Sequence, residues 1–576
     1  MESNTGGNAT GIAGYLPVVP MTLPDTNQGI EIRDFNLGIE MADSNVAMGA
    51  PDFLLDGVAF YQCLQAINIT NSYTAGAVIT YERGLIRSTT PPGAPVPPLI
   101  EVLTNDLFQN RNTSLVLTLE SLDIRPGTSM WGGSAIGIAS LGSENDDDFI
   151  RVNLRNLKIT GQSTINPIPG PISQQYFRGA GVEVGLKHGA IGRYDLENVL
   201  IRDARAEGFL GFVTTSGASG TFSATNVSLI ENGSDDHASP YLPSMGIGGA
   251  TFSESGLHLA AREGGTWTVD EGRESHFDRN YRHGVFLEAS SFHDEADGFP
   301  LAEFDLCTFT GNGLELTAEQ GHGLHTFNRE TTMDLRIHRS ALSSNLSGGI
   351  QMYFDDAETS RSQRLEITNS TLSENGGGGA VFFNAGVYPL DTNPVSVVSV
   401  DDSNSLETRI SQVTISDNPT PYAIAFYGTN PSAQVELWAP GSSSTIDNGV
   451  LKENGFTPAS GGAFSDQAWF PEPPSPLGGG QWEDIFDRTY FSNLGNELGV
   501  SLPAYTPDQG NFYSDPQLTP FTFMNIDLGV VFPSATSPLI DAGGASPFAT
   551  EATDNRGPGN PRLLGNTFDV GAFELQ

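Results

Sequence analysis

Apolar and polar residues alternate with a period of two through most of this chain, and the alternation recurs in a fixed frame. Between Phe304 and Phe383 the frame is repeated three times. The runs Phe304-Asp305-Leu306-Cys307-Thr308-Phe309-Thr310-Gly311-Asn312, Asp334-Leu335-Arg336-Ile337-His338-Arg339-Ser340-Ala341-Leu342-Ser343-Ser344-Asn345 and Leu365-Glu366-Ile367-Thr368-Asn369-Ser370-Thr371-Leu372-Ser373-Glu374-Asn375 each end in Asn at a turn. A short strand opening with Gly follows each one: Gly323-Leu324-His325-Thr326, Gly349-Ile350-Gln351-Met352 and Gly379-Ala380-Val381-Phe382. Strand, Asn turn, Gly-started strand, variable loop: this is one coil of a solenoid. Alternation puts Leu, Ile, Val and Phe on one face of each strand, and a single coil cannot bury that face alone. Stacked coils share an interior, with strands paired in parallel ~4.8 Å apart. Asn tolerates left-handed backbone angles and bonds locally, so a column of Asn suits a repeated corner. A helical solenoid conflicts with the β-branched strands and the 67 Gly. The prediction is an all-β, right-handed parallel β-helix.

Earlier runs fit the same frame. Gly29–Phe35, Phe53–Phe60, Leu115–Leu119, Ile150–Ile159, Tyr194–Ile201 and Phe222–Asn232 all alternate, whereas Pro91–Pro98 must leave the coil because Pro cannot donate to a ladder. After Asn454 the pattern fades. The expected organisation is a β-helix over 1–455, an irregular loop or cap over 456–512, and a C-terminal capping segment over 513–576 packed on the same solenoid.

Charge narrows the partners. The net charge is −41, and Lys158, Lys187 and Lys452 are the only lysines. Nucleic acid is excluded as an expected partner, because phosphate contacts need Lys and Arg clusters. No run of 18 or more apolar residues occurs, so no transmembrane segment is expected. Cys63 and Cys307 fall on well-separated coils and are expected as buried apolar fillers, without a disulfide. The opening Met1-Glu2-Ser3-Asn4 holds no basic, apolar leader. A secreted or cell-surface monomer is expected all the same, its signal peptide lying outside this sequence.

The C-terminal residues carry a family signal: Asp515-Pro516, Ser537-Pro538-Leu539-Ile540-Asp541-Ala542-Gly543, Asp554-Asn555-Arg556-Gly557, Arg562 and Asp569-Val570-Gly571-Ala572-Phe573-Glu574. This resembles the closing segment of secreted bacterial parallel β-helix repeat proteins, the choice-of-anchor Q type. Physically, Asp541, Asp554 and Asp569 beside Arg556 and Arg562 are expected to form a charge-paired plug over the open end of the stack.

Candidate chemistry comes from aligning the Gly-started strands at Gly256, Gly284, Gly323 and Gly349. The second, fourth and sixth positions after Gly are expected to face outward together. They hold His258, Phe286, His325 and Gln351; then Ala260, Glu288, Phe327 and Tyr353; then Arg262, Ser290, Arg329 and Asp355. Rings stack on sugar faces, Arg pairs with uronate carboxylates or sulfates, and His or Glu moves protons. His258, Glu288 and His325 are therefore candidate catalytic groups, with Arg262 and Arg329 neutralising charge. Phe286, Phe327, Tyr353, Gln351, Asp355, His283 and His322 are the candidate substrate contacts. Asp235 and Asp236, in Asp235-Asp236-His237, are candidate Ca²⁺ ligands, as is Asp146-Asp147-Asp148.

The fold so read resembles that of pectate lyases, polygalacturonases and alginate epimerases, and Gly321-His322-Gly323 is similar to the Gly-His-Gly of polygalacturonases. The Asn-Thr-Asp and Arg-Ile-Lys elements of that family do not follow in order, and Arg336-Ile337-His338 departs from the last, so no hydrolase mechanism is carried over. Two functions are expected to compete. One is an extracellular protein that binds and processes an anionic polysaccharide by lyase, epimerase or hydrolase chemistry. The other is a non-catalytic cell-surface adhesin or structural module.

Overall fold

The computed structural model is an all-β parallel β-helix, as the alternation predicts. It describes residues 30–418 without the loops 43–51, 72–75, 89–96, 106–112, 127–131, 143–147, 162–176, 235–252, 291–297, 315–320, 356–361 and 386–404 and a few single positions. Strands flanking that span and most of 517–573 are also described. The chain forms two compact units, Met1–Asp270 and Glu271–Gln576.

Each unit is built from three parallel sheets, one strand per coil in each. In the first unit, the first sheet runs through Ile100–Asn105, Ile136–Leu141, Val182–Lys187, Phe209–Thr214 and Leu257–Arg262. The second runs through Ala77–Glu82, Ser114–Glu120, Phe149–Arg155, Ile191–Glu197 and Ser219–Thr225. In the second unit the first sheet holds Val285–Ser290, His322–Arg329, Gly348–Asp355 and Gly379–Ala385. Its second sheet holds Gly298–Asp305, Thr332–His338, Ser362–Thr368 and Ser405–Ser411. Its third holds Thr308–Thr310, Ala341–Ser343, Thr371–Ser373 and Thr414–Ser416. The stretch 456–512, read from the sequence as an irregular loop or cap, contains Gln467–Trp469, Phe486–Asp487 and Tyr490–Phe491, each paired in parallel with the preceding coil.

The alternation builds the core directly. In Ser114–Glu120 every second residue is buried, so Leu115, Leu117 and Leu119 point inward. Cys63 and Cys307 are free and buried, as expected, and burial pushes the Cys63 thiol up to about 11.

The Asn column exists, but it works differently from the expectation. Asn312, Asn345 and Asn375 are not the left-handed residues of their corners. Those are the residues just before them: Gly311, Ser344 and Glu374, with φ of 63°, 55° and 56°. Nor do the Asn side chains bond locally. Asn345 Nδ2 donates to Asn375 Oδ1 at 2.8 Å and to the Phe309 carbonyl at 2.8 Å, while its Oδ1 accepts from Asn312 Nδ2 at 2.9 Å. The same bonds continue from Asn280 to Asn312 and from Asn375 to Asn418. Buried amides left unpaired are costly, so a file in which each serves the next is strongly preferred.

The C-terminal segment is also placed differently. Its antiparallel hairpin, Leu518–Phe523 with Ile526–Pro533, lies along the flank of the second unit's third sheet rather than over an open end. Phe523, Leu528, Val531, Ala572 and Phe573 form one apolar cluster with Leu306 and Ala341. Ser373 Oγ donates to the Leu528 carbonyl at 2.9 Å. Asp554 and Arg556 pair with each other at 2.5 Å inside this segment, and Arg556 lies over the Phe532 ring. Apolar burial against the flank attaches it, joined by the Arg339–Thr553 hydrogen bond, and of the expected charge pairs Asp554 with Arg556 is present. Asp541 and Arg562 lie outside the described residues.

Candidate functional site

The first-sheet strands at Val182, Phe209, Leu257 and Val285 are each entered through a corner that ends in Gly, and Gly323 holds the same place in His322–Arg329. The Gly is required by space. A Cβ at Gly284 would sit 2.6 Å from the Gly323 carbonyl, and one at Gly323 would sit 2.8 Å from the Gly349 carbonyl. Both would also press on the amide of an Asn in the corner file, Asn312 or Asn345, at 2.9 Å. The Gly fixes the register, and register decides which side chains become neighbours.

In the second unit the columns are Phe286, His325 and Gln351, then Glu288, Phe327 and Tyr353, then Ser290, Arg329 and Asp355. Phe286, Glu288, Phe327 and Arg329 are partly exposed. Phe327 and Tyr353 stack with ring centroids 5.4 Å apart and planes 6° from parallel. For Asp355 the pairing with Arg329 along the backbone is described, and its side chain is not.

The strip is nevertheless not an open outward ridge. His325 is only 3% exposed and Tyr353 only 1%. Corner residues supply part of the cover. The His283 ring lies on His325 with centroids 4.7 Å apart and planes 18° from parallel, and His322 closes the group at 5.5 Å from His283 and 5.4 Å from His325. Phe286 meets His325 at 5.1 Å. The main-chain N–H of His322 donates to His283 Nδ1 at 3.3 Å, and His325 Nδ1 lies 2.9 Å from Gln351 Oε1. Burial drives the His325 imidazole down to about 4, opposed by its bond to Gln351. Burial, reinforced by His325, also holds His322 well below the usual range. Both imidazoles are neutral at pH 7.

His258 and Arg262 belong to the first unit, so the expected file through His258, Glu288 and His325 is described in two parts. Here the outer side of the first sheet is apolar as well. Ala139, Ala180, Ala206, Leu210, Phe212 and Ala260 form a second cluster, which buries positions the alternation assigned to solvent. His258 is 0% exposed within it, edge-on to Phe212. Arg262 lies 5.2 Å from the Phe212 ring centroid. The partner of His258 is Glu207, also 0% exposed, with Oε1 3.5 Å from His258 Nδ1. That Oε1 accepts the main-chain N–H of Ser253 at 2.7 Å and of Glu254 at 3.2 Å.

Sequence reasoning missed Glu207. Extending the Gly alignment one coil back to Gly208 would have found it, because Glu207 occupies the corner position held by His283 and His322. Ser134 and Glu183 were missed for the same reason. They bond at 2.7 Å through the same relation, a corner residue touching the second position of the next strand.

Asp235 and Asp236 lie outside the described residues, and Asp148 is buried with its Oδ1 accepting the Thr113 N–H at 2.9 Å. Among the described residues no group of three His, Cys, Asp or Glu is placed to hold a metal ion. No helix among them is long and apolar enough to cross a membrane.

No protein-family model matches the chain, and no curated protein matches it. The choice-of-anchor resemblance therefore has no support beyond its motif residues. Among solved structures the chain is similar to the periplasmic alginate epimerase AlgG, at 10% identity over 68% of this chain and 74% of that one, with a TM-score of 0.22. At so low a score the likeness adds nothing to what this chain's own register and side chains show.

Proposed function

We propose that this chain is an extracellular, monomeric β-helix that binds an anionic polysaccharide on the first sheet of its second unit and processes it there. One observation supports this reading above the others: register brings Phe286, Glu288, Phe327 and Arg329, all partly exposed, onto neighbouring coils. Rings beside a guanidinium match the flat faces and acid groups of a uronate or sulfated sugar. Neutral His325, behind this row, supplies a proton acceptor. Calcium at Asp235 and Asp236 would add a second hold on substrate acid groups, since Ca²⁺ takes oxygen ligands.

A non-catalytic adhesin is the second reading. The burial of His258 and His325 favours it, because a proton-moving group must reach its substrate.

The test is titration of the full chain with a panel of uronate and sulfated polysaccharides, with and without Ca²⁺. Binding is read by calorimetry, and turnover by new reducing ends and by ultraviolet absorbance of unsaturated uronates. Binding with turnover that is lost in His325→Gln supports the enzyme, and binding without turnover supports the adhesin. No binding to any member of the panel sinks both.

A further inference from the structure

Two buried ring nitrogens stand out in the histidine group of the second unit. His325 Nε2 and His322 Nδ1 have no hydrogen-bond partner among the described residues. A neutral imidazole carries one N–H and one lone pair, and whichever nitrogen donates leaves the other as acceptor. At His325 the choice is made from the next coil. Gln351 is in direct register with His325, and its Oε1 lies 2.9 Å from Nδ1. An amide oxygen only accepts, so the proton sits on Nδ1.

We infer that Gln351 is a positioning residue: by holding the His325 proton on Nδ1 it presents Nε2 as a bare lone pair to a hydroxyl-bearing ligand. The inference rests on the glycan reading above for the identity of that ligand, a sugar hydroxyl. In the step this allows, the hydroxyl proton passes to Nε2, the oxygen keeps the electron pair, and the resulting imidazolium keeps its Nδ1–H on Gln351. The titratable neighbours are His283 and His322 against the ring, with Glu288 and Arg329 at the next outward positions. A base shielded in this way stays neutral and ready over the whole physiological range.

The test uses the full chain labelled with ¹⁵N-histidine, the His325 signal being assigned by its loss in His325→Gln. Nitrogen chemical shifts and their couplings to ring protons report which nitrogen carries the proton. The expected wild-type result is Nδ1–H. Gln351→Glu keeps the accepting oxygen and the volume while adding a charge, so the same tautomer should persist, with the His325 titration moved upward by roughly 1–3 pH units. Gln351→Leu should shift protonation toward Nε2 and, in a turnover assay, lower kcat more than it raises KM. An Nε2–H signal in the wild type, or a His325 titration unmoved in Gln351→Glu, overturns the inference. Tautomer and titration are read without any sugar, so Nδ1–H with no turnover counts against the proposed reaction alone.

Discussion

The corner pair of the first unit and that of the second occupy the same place in the coil and hold opposite chemistry. In the first, Glu207 ends a corner and faces His258 from the next strand. In the second, His283 ends a corner and faces His325. Glu207 Oε1 is tied to two backbone N–H groups and lies 3.5 Å from His258 Nδ1. His283 lies ring to ring on His325, whose Nδ1 meets Gln351 and whose Nε2 has no hydrogen-bond partner among the described residues. The same slot therefore holds a carboxylate anchored to the backbone in one unit and a stacked imidazole in the other. What differs is how the corner side chain meets its neighbour, carboxylate to ring nitrogen in one unit and ring to ring in the other.

The largest expected effect comes from removing the carboxylate corner. Glu207→Ala strips the acceptor from two buried N–H groups and from His258, and should destabilise the first unit by about 3–5 kcal/mol. Faster amide exchange in Phe209–Thr214 and Leu257–Arg262 would report it. An effect within experimental error would show that the pair does not hold the corner.

Next comes pH. The His325 imidazole is about 4 folded against about 6.5 unfolded, so the unfolded chain takes up a proton that the folded chain refuses. Stability of the second unit is full above about 6.5 and falls as the pH drops toward about 4, by about 3 kcal/mol from His325 alone. His322 is shifted in the same direction and steepens the loss. Denaturant midpoints at intervals of pH should show this slope, and His325→Gln should flatten it.

A smaller change, about 1–3 kcal/mol, is expected for His283→Ala, which removes one stacked ring and the acceptor of a single N–H. Finding it as costly as Glu207→Ala would erase the contrast between the two corners. The smallest effect belongs to Phe327→Ala. Losing one ring from the exposed row should weaken polysaccharide binding roughly 3- to 10-fold by calorimetry, about 0.7–1.4 kcal/mol.

Much of this was legible in the residues. The Gly-started strands gave the columns through Phe286, His325 and Gln351 directly, because a Gly that cannot accept a Cβ allows only one register. Burial was not legible. Alternation predicts which side of a strand a residue takes, but not that Leu210, Phe212 and Ala260 form a second apolar layer on the outer side. Glu207 escaped because the Gly alignment stopped at Gly256, one coil short of Gly208, and the stacking of His283 on His325 escaped because alternation along a strand does not reach into the corner. The flank position of the C-terminal hairpin escaped for a related reason: its antiparallel strands belong to no coil, and only Leu306 and Ala341, far back in the chain, reveal where they settle.

The asparagine file has a consequence for how such a molecule changes length. Each amide is answered by its counterparts one turn away and by a main-chain carbonyl of the preceding turn, so removing a whole turn leaves the two new neighbours able to join hands, and adding one inserts a link that fits on both sides. Losing part of a turn breaks the file and strands a buried amide. Growth and shrinkage by complete turns is the change this architecture tolerates best.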